Sequence, residues 1–130
     1  MNKEIQTYNQ AQEPNDVPIV ELLAAEITKG LPGSEQKIWY AAPVWFLNGN
    51  PIVGYNRRKA GINLLFWSGQ GFDEPGLKPE GKFKAAEKLY KDVSDVDTEE
   101  LARWLEKSAK IQWDYKNIVA KKGVLDRIEL

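Results

Sequence analysis

The chain has 130 residues, with 18 Lys and Arg against 19 Asp and Glu, and its formal net charge of −1 offers no attraction to nucleic acid or an anionic membrane. It contains no cysteine and no histidine, which excludes thiol catalysis, disulfides, thiolate metal sites and imidazole acid–base chemistry. The length and a hydrophobic content of 42% predict one globular domain with its own core.

The first 15 residues are polar and predict a loosely held lead-in to a single α+β domain over residues 16–130. They lack the apolar stretch of a signal peptide, and no apolar run approaches the roughly 18 residues of a membrane span. We therefore expect a cytoplasmic protein without a membrane partner.

The first predicted helix begins after Asp16, a suitable N-cap, and accepts Pro18 in its first turn. Gly30 suits the left-handed position just past the end of the helix, and Pro32-Gly33 marks the stop. One apolar stripe at helical spacing predicts the buried side of this helix: Val20, Leu23, Ala24, Ile27 and Leu31.

The next segment has strand character around Asn48-Gly49, the preferred two-residue type I′ hairpin turn. Counting outward from this turn gives the pairs Leu47–Asn50, Phe46–Pro51, Trp45–Ile52 and Val44–Val53. That register places Trp45 and Tyr55 on opposite faces of the sheet, so large apolar side chains are expected on both faces.

A third strand is predicted over residues 62–67, again with apolar side chains on both faces. Residues 68–82 contain four glycines and two prolines and predict a long surface loop. Residues 83–93 fit either a short helix or a strand, and the local pattern leaves both structures open.

The last element is a predicted helix with Asp97 as its N-cap and Glu100 completing a capping box. Its apolar stripe predicts five helical turns: Leu101, Trp104, Leu105, Ser108, Ile111, Gln112, Tyr115, Ile118 and Val119. Trp113 falls off this stripe.

Several short motifs, in order and spacing, resemble the YdhG-like family of bacterial domains of unknown function (domain of unknown function 1801). They are Leu31-Pro32-Gly33, Pro43-x-Trp45/Phe46, Asn48-Gly49-x-Pro51 and Leu64-x-Phe66. The similarity runs from about residue 17 to about residue 106, and the stretch IQWDYKNI over residues 111–118 resembles one subfamily.

The resemblance implies an α+β fold in which an antiparallel meander sheet of about four to five strands is packed by an N-terminal and a C-terminal helix. It also implies that the stretch Ala86 to Lys91 is a strand. Some members of the family are described as frataxin-like iron chaperones. Many members place a histidine ahead of the third strand, where this chain has Lys59-Ala60-Gly61.

Two groups of carboxylates are candidates for binding a hard cation such as iron. The alternative, frataxin-like interpretation uses the first helix and its surroundings: Asp16, Glu21, Glu26 and Glu35. The densest acidic run either binds a cation or caps the last helix: Asp92, Asp95, Asp97, Glu99 and Glu100. No cofactor is otherwise required. The basic run Arg57-Arg58-Lys59 either holds an anion or is simply solvated.

The aromatic residues give the leading hypothesis, which is a non-enzymatic binding or interaction module. One sheet face should pack against the helices, and the other would then expose aromatic side chains to a small ligand or to a second copy, as in a homodimer. The residues expected to make this contact are Trp39, Trp45, Tyr55 and Trp67. The alternative is that loop 68–82 and the N-terminal residues cover the second face.

Overall fold

A computed structural model describes residues 2–130, which form three α-helices on one face of a six-stranded antiparallel sheet. The helices are α1 (Lys3–Gln10), α2 (Val17–Gly30) and α3 (Thr98–Lys110). The strands are β1 (Glu35–Trp39), β2 (Ala42–Leu47), β3 (Asn50–Arg58), β4 (Gly61–Phe66), β5 (Lys78–Pro79) and β6 (Ala86–Tyr90). Their order in the sheet is β1-β2-β3-β4-β6-β5. The predicted α+β meander is confirmed, and the two-residue β5 takes the strand count above the expected four to five.

The N-terminal residues contain a helix, so the prediction of a loosely held lead-in is wrong. Asn2 caps α1 by accepting hydrogen bonds from the backbone N–H groups of Glu4 and Ile5. Ile5 and Asn9 are fully buried, and Asn9 Oδ1 accepts a 2.6 Å hydrogen bond from the hydroxyl of Tyr55. The buried side of α1 is formed by Ile5, Tyr8 and the polar Asn9, so its sequence shows only a weak apolar pattern.

The stripe predicted for α2 is confirmed, since Val20, Leu23, Ala24, Ile27 and Leu31 are all buried. Gly30 lies inside the helix rather than past its end, and the left-handed residue is Gly33, with φ of 79°. A Cβ atom on Gly30 would stand 2.6 Å from Leu105 Cδ1. Gly30 therefore lets α2 approach α3 closely.

The β2–β3 hairpin keeps the predicted register only next to its turn. Leu47 pairs with Asn50 and Phe46 with Pro51, but Trp45 then pairs with Val53 and Val44 with Gly54. Ile52 is thus an extra residue in β3, a bulge that shifts every later pair by one. Trp45 and Tyr55 consequently share one face, with ring centroids 5.7 Å apart, which corrects their predicted separation.

Residues 68–82 are more ordered than a long surface loop, because a 3₁₀ turn over Gly69–Phe72 and β5 interrupt them. Phe72 packs its ring against Phe66 at 5.4 Å on the helix side of the sheet. Residues 86–90 form β6, as the family resemblance implied for this stretch.

Helix α3 begins at the predicted cap but ends at Lys110, so the five-turn prediction is wrong. Residues 111–130 form turns and irregular structure instead. The buried Asn50 side chain holds this segment: its Nδ2 donates to the Trp113 carbonyl and to Gln112 Oε1, and its Oδ1 accepts from the Lys116 N–H. Tertiary hydrogen bonds thereby replace the helical bonds that the stripe would have continued.

Three of the five carboxylates in the acidic run before α3, Asp92, Asp95 and Asp97, act as helix caps, which supports the capping interpretation of the run. Asp97 accepts hydrogen bonds from the N–H groups of Glu99 and Glu100. The reciprocal capping box, predicted for Asp97 and Glu100, occurs instead at Asp92 and Asp95 around the 3₁₀ turn Val93–Asp95.

Candidate functional site

Two of the four aromatic residues proposed for the ligand surface lie in the helix-packed core. We call the sheet face that packs against α1, α2 and α3 the covered face and the opposite face the open face. Trp45 is fully buried on the covered face and donates its indole N–H to Thr28 Oγ1. Tyr55 is buried beside it and is hydrogen-bonded to Asn9. The bulge at Ile52 is the physical reason, because it turns Tyr55 toward the helices.

The other two residues, Trp39 and Trp67, lie together on the open face. Their ring centroids are 6.1 Å apart with an interplanar angle of 38°. They border a cavity of about 190 Å³ that the strand pairing places over the middle of β2, β3 and β4. The residues lining it are mostly apolar: Trp39, Tyr40, Ala42, Val44, Gly54, Tyr55, Asn56, Arg58, Asn63, Leu65 and Trp67.

Gly54 lets β2 pack closely against β3 beside this cavity. A Cβ atom there would stand 2.6 Å from the Pro43 carbonyl oxygen and 3.4 Å from the Trp67 ring. The Pro43 carbonyl leaves no room for a side chain here, so only glycine allows β2 to approach β3 this closely, whereas the distance to the Trp67 ring is an ordinary contact. Val44 and Leu65 are the cross-strand neighbours of Gly54 and present their side chains on either side of it.

The rim of the cavity carries a strained turn between β1 and β2. Tyr40 and Ala41 have φ of 51° and 63°, the left-handed region that a two-residue type I′ turn requires at both positions. Asn48 and Gly49, in the neighbouring hairpin, are residue types suited to such values, whereas Tyr and Ala are not. Tyr40 is 86% exposed, and its ring lies 4.7 Å from that of Trp39.

The polar end of the cavity is formed by Arg58, Asn56 and Asn63. Glu87 Oε1 lies 3.4 Å from Arg58 Nη2 and accepts a hydrogen bond from Asn63 Nδ2 at 3.3 Å. Asn63 is only 2% exposed, and within residues 2–130 its Oδ1 atom accepts no hydrogen bond. Sequence reasoning missed Asn63, because a lone amide inside a strand gives no local signal.

The basic run at the β3–β4 hairpin divides between the two faces, so it is not a single anion site. Arg57 points to the covered side, where Glu13 Oε1 lies 3.4 Å from Nη1 and Asp16 Oδ2 lies 3.6 Å from Nε. Arg58 points to the open face and its cavity. Alternation along a strand explains the division.

Comparison with known proteins yields no relative. No family model, no curated protein and no solved structure matches this chain significantly.

The open face is flanked by the C-terminal segment, and not by the loop and N-terminal residues of the alternative interpretation. A second cavity of about 290 Å³ lies between β1, the β2–β3 turn and residues 115–119. Phe46 is buried at this side, with Lys37 Nζ 4.7 Å above its ring and Trp39 edge-on at 5.4 Å. Loop 68–82 and α1 lie on the covered face, so the alternative in which they cover the open face does not hold.

The carboxylates of the frataxin-like interpretation do not converge. Among residues 2–130, no group of three or more His, Cys, Asp or Glu side chains is arranged to hold a metal ion. Asp16 is buried beside Arg57, Glu21 and Glu35 are exposed, and Glu26 is half-buried. No helix in the described part of the chain is long and apolar enough to cross a membrane.

Proposed function

We propose that this chain is a non-enzymatic binding module that holds a small, largely apolar ligand in the open-face cavity beside Trp39 and Trp67. The observation that carries the proposal is the cavity itself, about 190 Å³ with aromatic and aliphatic walls and a few polar groups at one end. Small-molecule sites typically combine an apolar concave surface with a few placed polar side chains.

The Tyr40-Ala41 turn adds independent support. Each non-glycine residue in the left-handed region costs about 1–2 kcal/mol. Strained backbone of this kind clusters at ligand clamps and other functional positions. The strain here presents the ring of Tyr40 at the rim of the cavity, next to Trp39.

The test is an NMR screen of the protein against a fragment library of small aromatic and aliphatic compounds. Each of the five tryptophans gives one side-chain indole N–H signal, so the screen reports five places at once. We expect ligands to shift the signals of Trp39 and Trp67 and to leave those of Trp45, Trp104 and Trp113 in place. Trp67→Ala should abolish binding, whereas Trp113→Ala, a half-buried tryptophan outside the cavity, should retain it.

A library in which no compound shifts Trp39 or Trp67 would overturn the proposal. A second copy of the chain on the open face is a distinct outcome of the same experiment. It would shift the two signals as the protein concentration rises without any ligand, and sedimentation equilibrium would then give a dimer mass. That result would mean that the open face serves self-association and not the binding of a small ligand.

The iron or divalent-cation carrier implied by the YdhG-like resemblance is the alternative, and it has less support because its carboxylates stand apart or pair with Arg57. Titration with Co²⁺ while the backbone amide signals are followed separates the two functions. We expect no shift at Glu21 or Glu26 on α2. Saturable shifts confined to that helix would favour the carrier.

A further inference from the structure

Resting on the proposed function, we infer that the ligand of the open-face cavity is a small planar aromatic acid, whose ring packs on the tryptophan pair and whose carboxylate pairs with Arg58.

The aromatic walls of the cavity favour a ligand with a flat ring. Trp39 and Trp67 are too close, at 6.1 Å between centroids, for another ring to fit between them. A ligand ring therefore packs against their outer faces, beside Leu65. The volume of about 190 Å³ equals the share of about six water molecules in the liquid. A molecule of one or two fused rings fits that space.

The charge of the cavity selects an anion. Arg58 is the only charged side chain among the lining residues, and Glu87, the cross-strand neighbour of Leu65 on the same face, contacts Arg58 and Asn63 without lining the cavity. Of the Arg58 guanidinium nitrogens, only Nη2 has a partner within residues 2–130, and that contact with Glu87 is long, at 3.4 Å. The remaining N–H groups can form the two parallel hydrogen bonds that a guanidinium makes with a carboxylate.

Aromatic residues also bind cations, through the negative faces of their rings. Two observations favour the anion here. Arg58 lines the cavity, and Lys37 already occupies the face of Phe46 at the edge of the aromatic cluster. A bound cation would meet the charge of Arg58, with no acidic side chain among the lining residues.

The unpartnered Oδ1 atom of Asn63 defines a further preference. A carboxylate can only accept hydrogen bonds, so the Asn63 atom facing Glu87 is the donor Nδ2, and Oδ1, which has no partner within residues 2–130, stays accessible to water or to a ligand donor. A ligand hydroxyl or ring N–H beside the carboxylate would supply it. Burying that oxygen against a ligand without a donor would lower the affinity.

Three probes test the inference: indole-3-carboxylate, its neutral analogue of the same shape indole-3-carboxamide, and benzyltrimethylammonium, a cation with a single aromatic ring. Dissociation constants come from the shifts of the Trp39 and Trp67 indole signals. We expect the carboxylate to bind at least about tenfold more tightly than the carboxamide, as one charge-assisted hydrogen bond implies. The cation should bind most weakly.

Arg58→Gln should remove the difference between carboxylate and carboxamide. Arg57→Gln is the matched control, because it changes the neighbouring charge on the covered side and should preserve the difference. Equal binding of the two indoles by the unmodified protein, or tighter binding of the cation, overturns the inference and leaves the proposed function standing. Failure of all three probes also overturns it, and the proposed function fails only if the fragment library is silent as well.

Discussion

The two faces of the sheet carry the same kind of side chain and use it differently. On the covered face, the indole N–H groups of Trp45 and Trp104 donate to Thr28 and Glu74. On the open face, the indoles of Trp39 and Trp67 have no acceptor among the described residues. A buried indole needs a hydrogen-bond partner, whereas a half-buried one beside a cavity can leave its N–H to solvent or to a ligand.

On each side of the sheet, one side chain holds a neighbouring segment in place by hydrogen bonds. Glu74 holds loop 68–82 to α3 on the covered side through charge: its carboxylate accepts from Arg103, Trp104 and Lys107. Asn50 holds residues 112–116 at the side of the open face through neutral hydrogen bonds. The contacts of Glu74 should therefore respond to acid, whereas the hydrogen bonds of Asn50 should not.

The largest expected effect separates the two tryptophan environments. Trp45→Ala removes a fully buried ring and should lower the free energy of unfolding by about 3–5 kcal/mol. Trp67→Ala removes a half-buried ring and should cost about 1–2 kcal/mol, in proportion to its smaller buried area. Urea unfolding followed by far-ultraviolet circular dichroism measures both. Equal losses would mean that the open face is as much a core as the covered one.

The charged hydrogen bonds of Glu74 predict that the free energy of unfolding depends on pH. Hydrogen bonds from Arg103, and then from Lys107, lower the pKa of Glu74 to about 2. Because the folded-state pKa is depressed, the stability that Glu74 contributes is complete above its ordinary pKa of 4.5 and is lost as pH falls toward 2.

Glu74→Gln should accordingly lower the free energy of unfolding by about 1.5–3 kcal/mol at pH 7. The difference from the unmodified protein should shrink when both are unfolded in urea at pH 3. Glu106→Gln is the control, since the exposed pair of Glu106 with Lys110 should contribute less than about 1 kcal/mol at either pH. A Glu74→Gln effect that is the same at pH 7 and pH 3 would contradict the role assigned to its charge.

The neutral hydrogen bonds of Asn50 predict that its loss affects mainly the C-terminal segment that it holds. Asn50→Ala removes three hydrogen bonds from a buried site and should lower the free energy of unfolding by about 1–3 kcal/mol. Hydrogen exchange should accelerate at the N–H of Lys116, while the amides of α3 keep their protection. Asn56→Ala, an exposed asparagine later in the same strand, should change neither quantity. Loss of protection throughout α3 would show that the segment and the helix unfold together.

Local signals predicted the parts of the fold that local chemistry determines. The apolar stripe of α2 and the two pairs next to Asn48-Gly49 were correct, because helix period and turn type fix them within a few residues. The bulge at Ile52 was not predictable this way. The run Pro51-Ile52-Val53 is apolar at every position, so either register buries an apolar residue.

The end of α3 shows the other limit. The apolar stripe continues beyond Lys110. The helix nevertheless ends there, because the side chain of Asn50, more than 60 residues earlier, forms hydrogen bonds with the backbone of the following segment. The candidate site was likewise predicted only in part. Trp39 and Trp67 were identified from their aromatic character, whereas Arg58 and Asn63 join them only through strand pairing.

The smallest expected effect concerns the two hairpin turns of β1–β2 and β2–β3. Ala41→Gly should raise the free energy of unfolding by about 1 kcal/mol, because glycine adopts a φ of 63° without strain. Gly49→Ala, at a φ of 78° in the relaxed turn, should lower it by a similar amount. Thermal unfolding of the two variants checks both signs.

Tyr40→Asn distinguishes strain that serves the cavity from strain without consequence. Asparagine tolerates the left-handed region, so this variant should also be more stable than the unmodified protein. If the turn is kept strained in order to place the Tyr40 ring at the rim, Tyr40→Asn should weaken the ligands found by the NMR screen, whereas Ala41→Gly should bind them normally. Unchanged affinity in both variants would remove the strained turn from the argument for binding and leave the cavity to carry it alone.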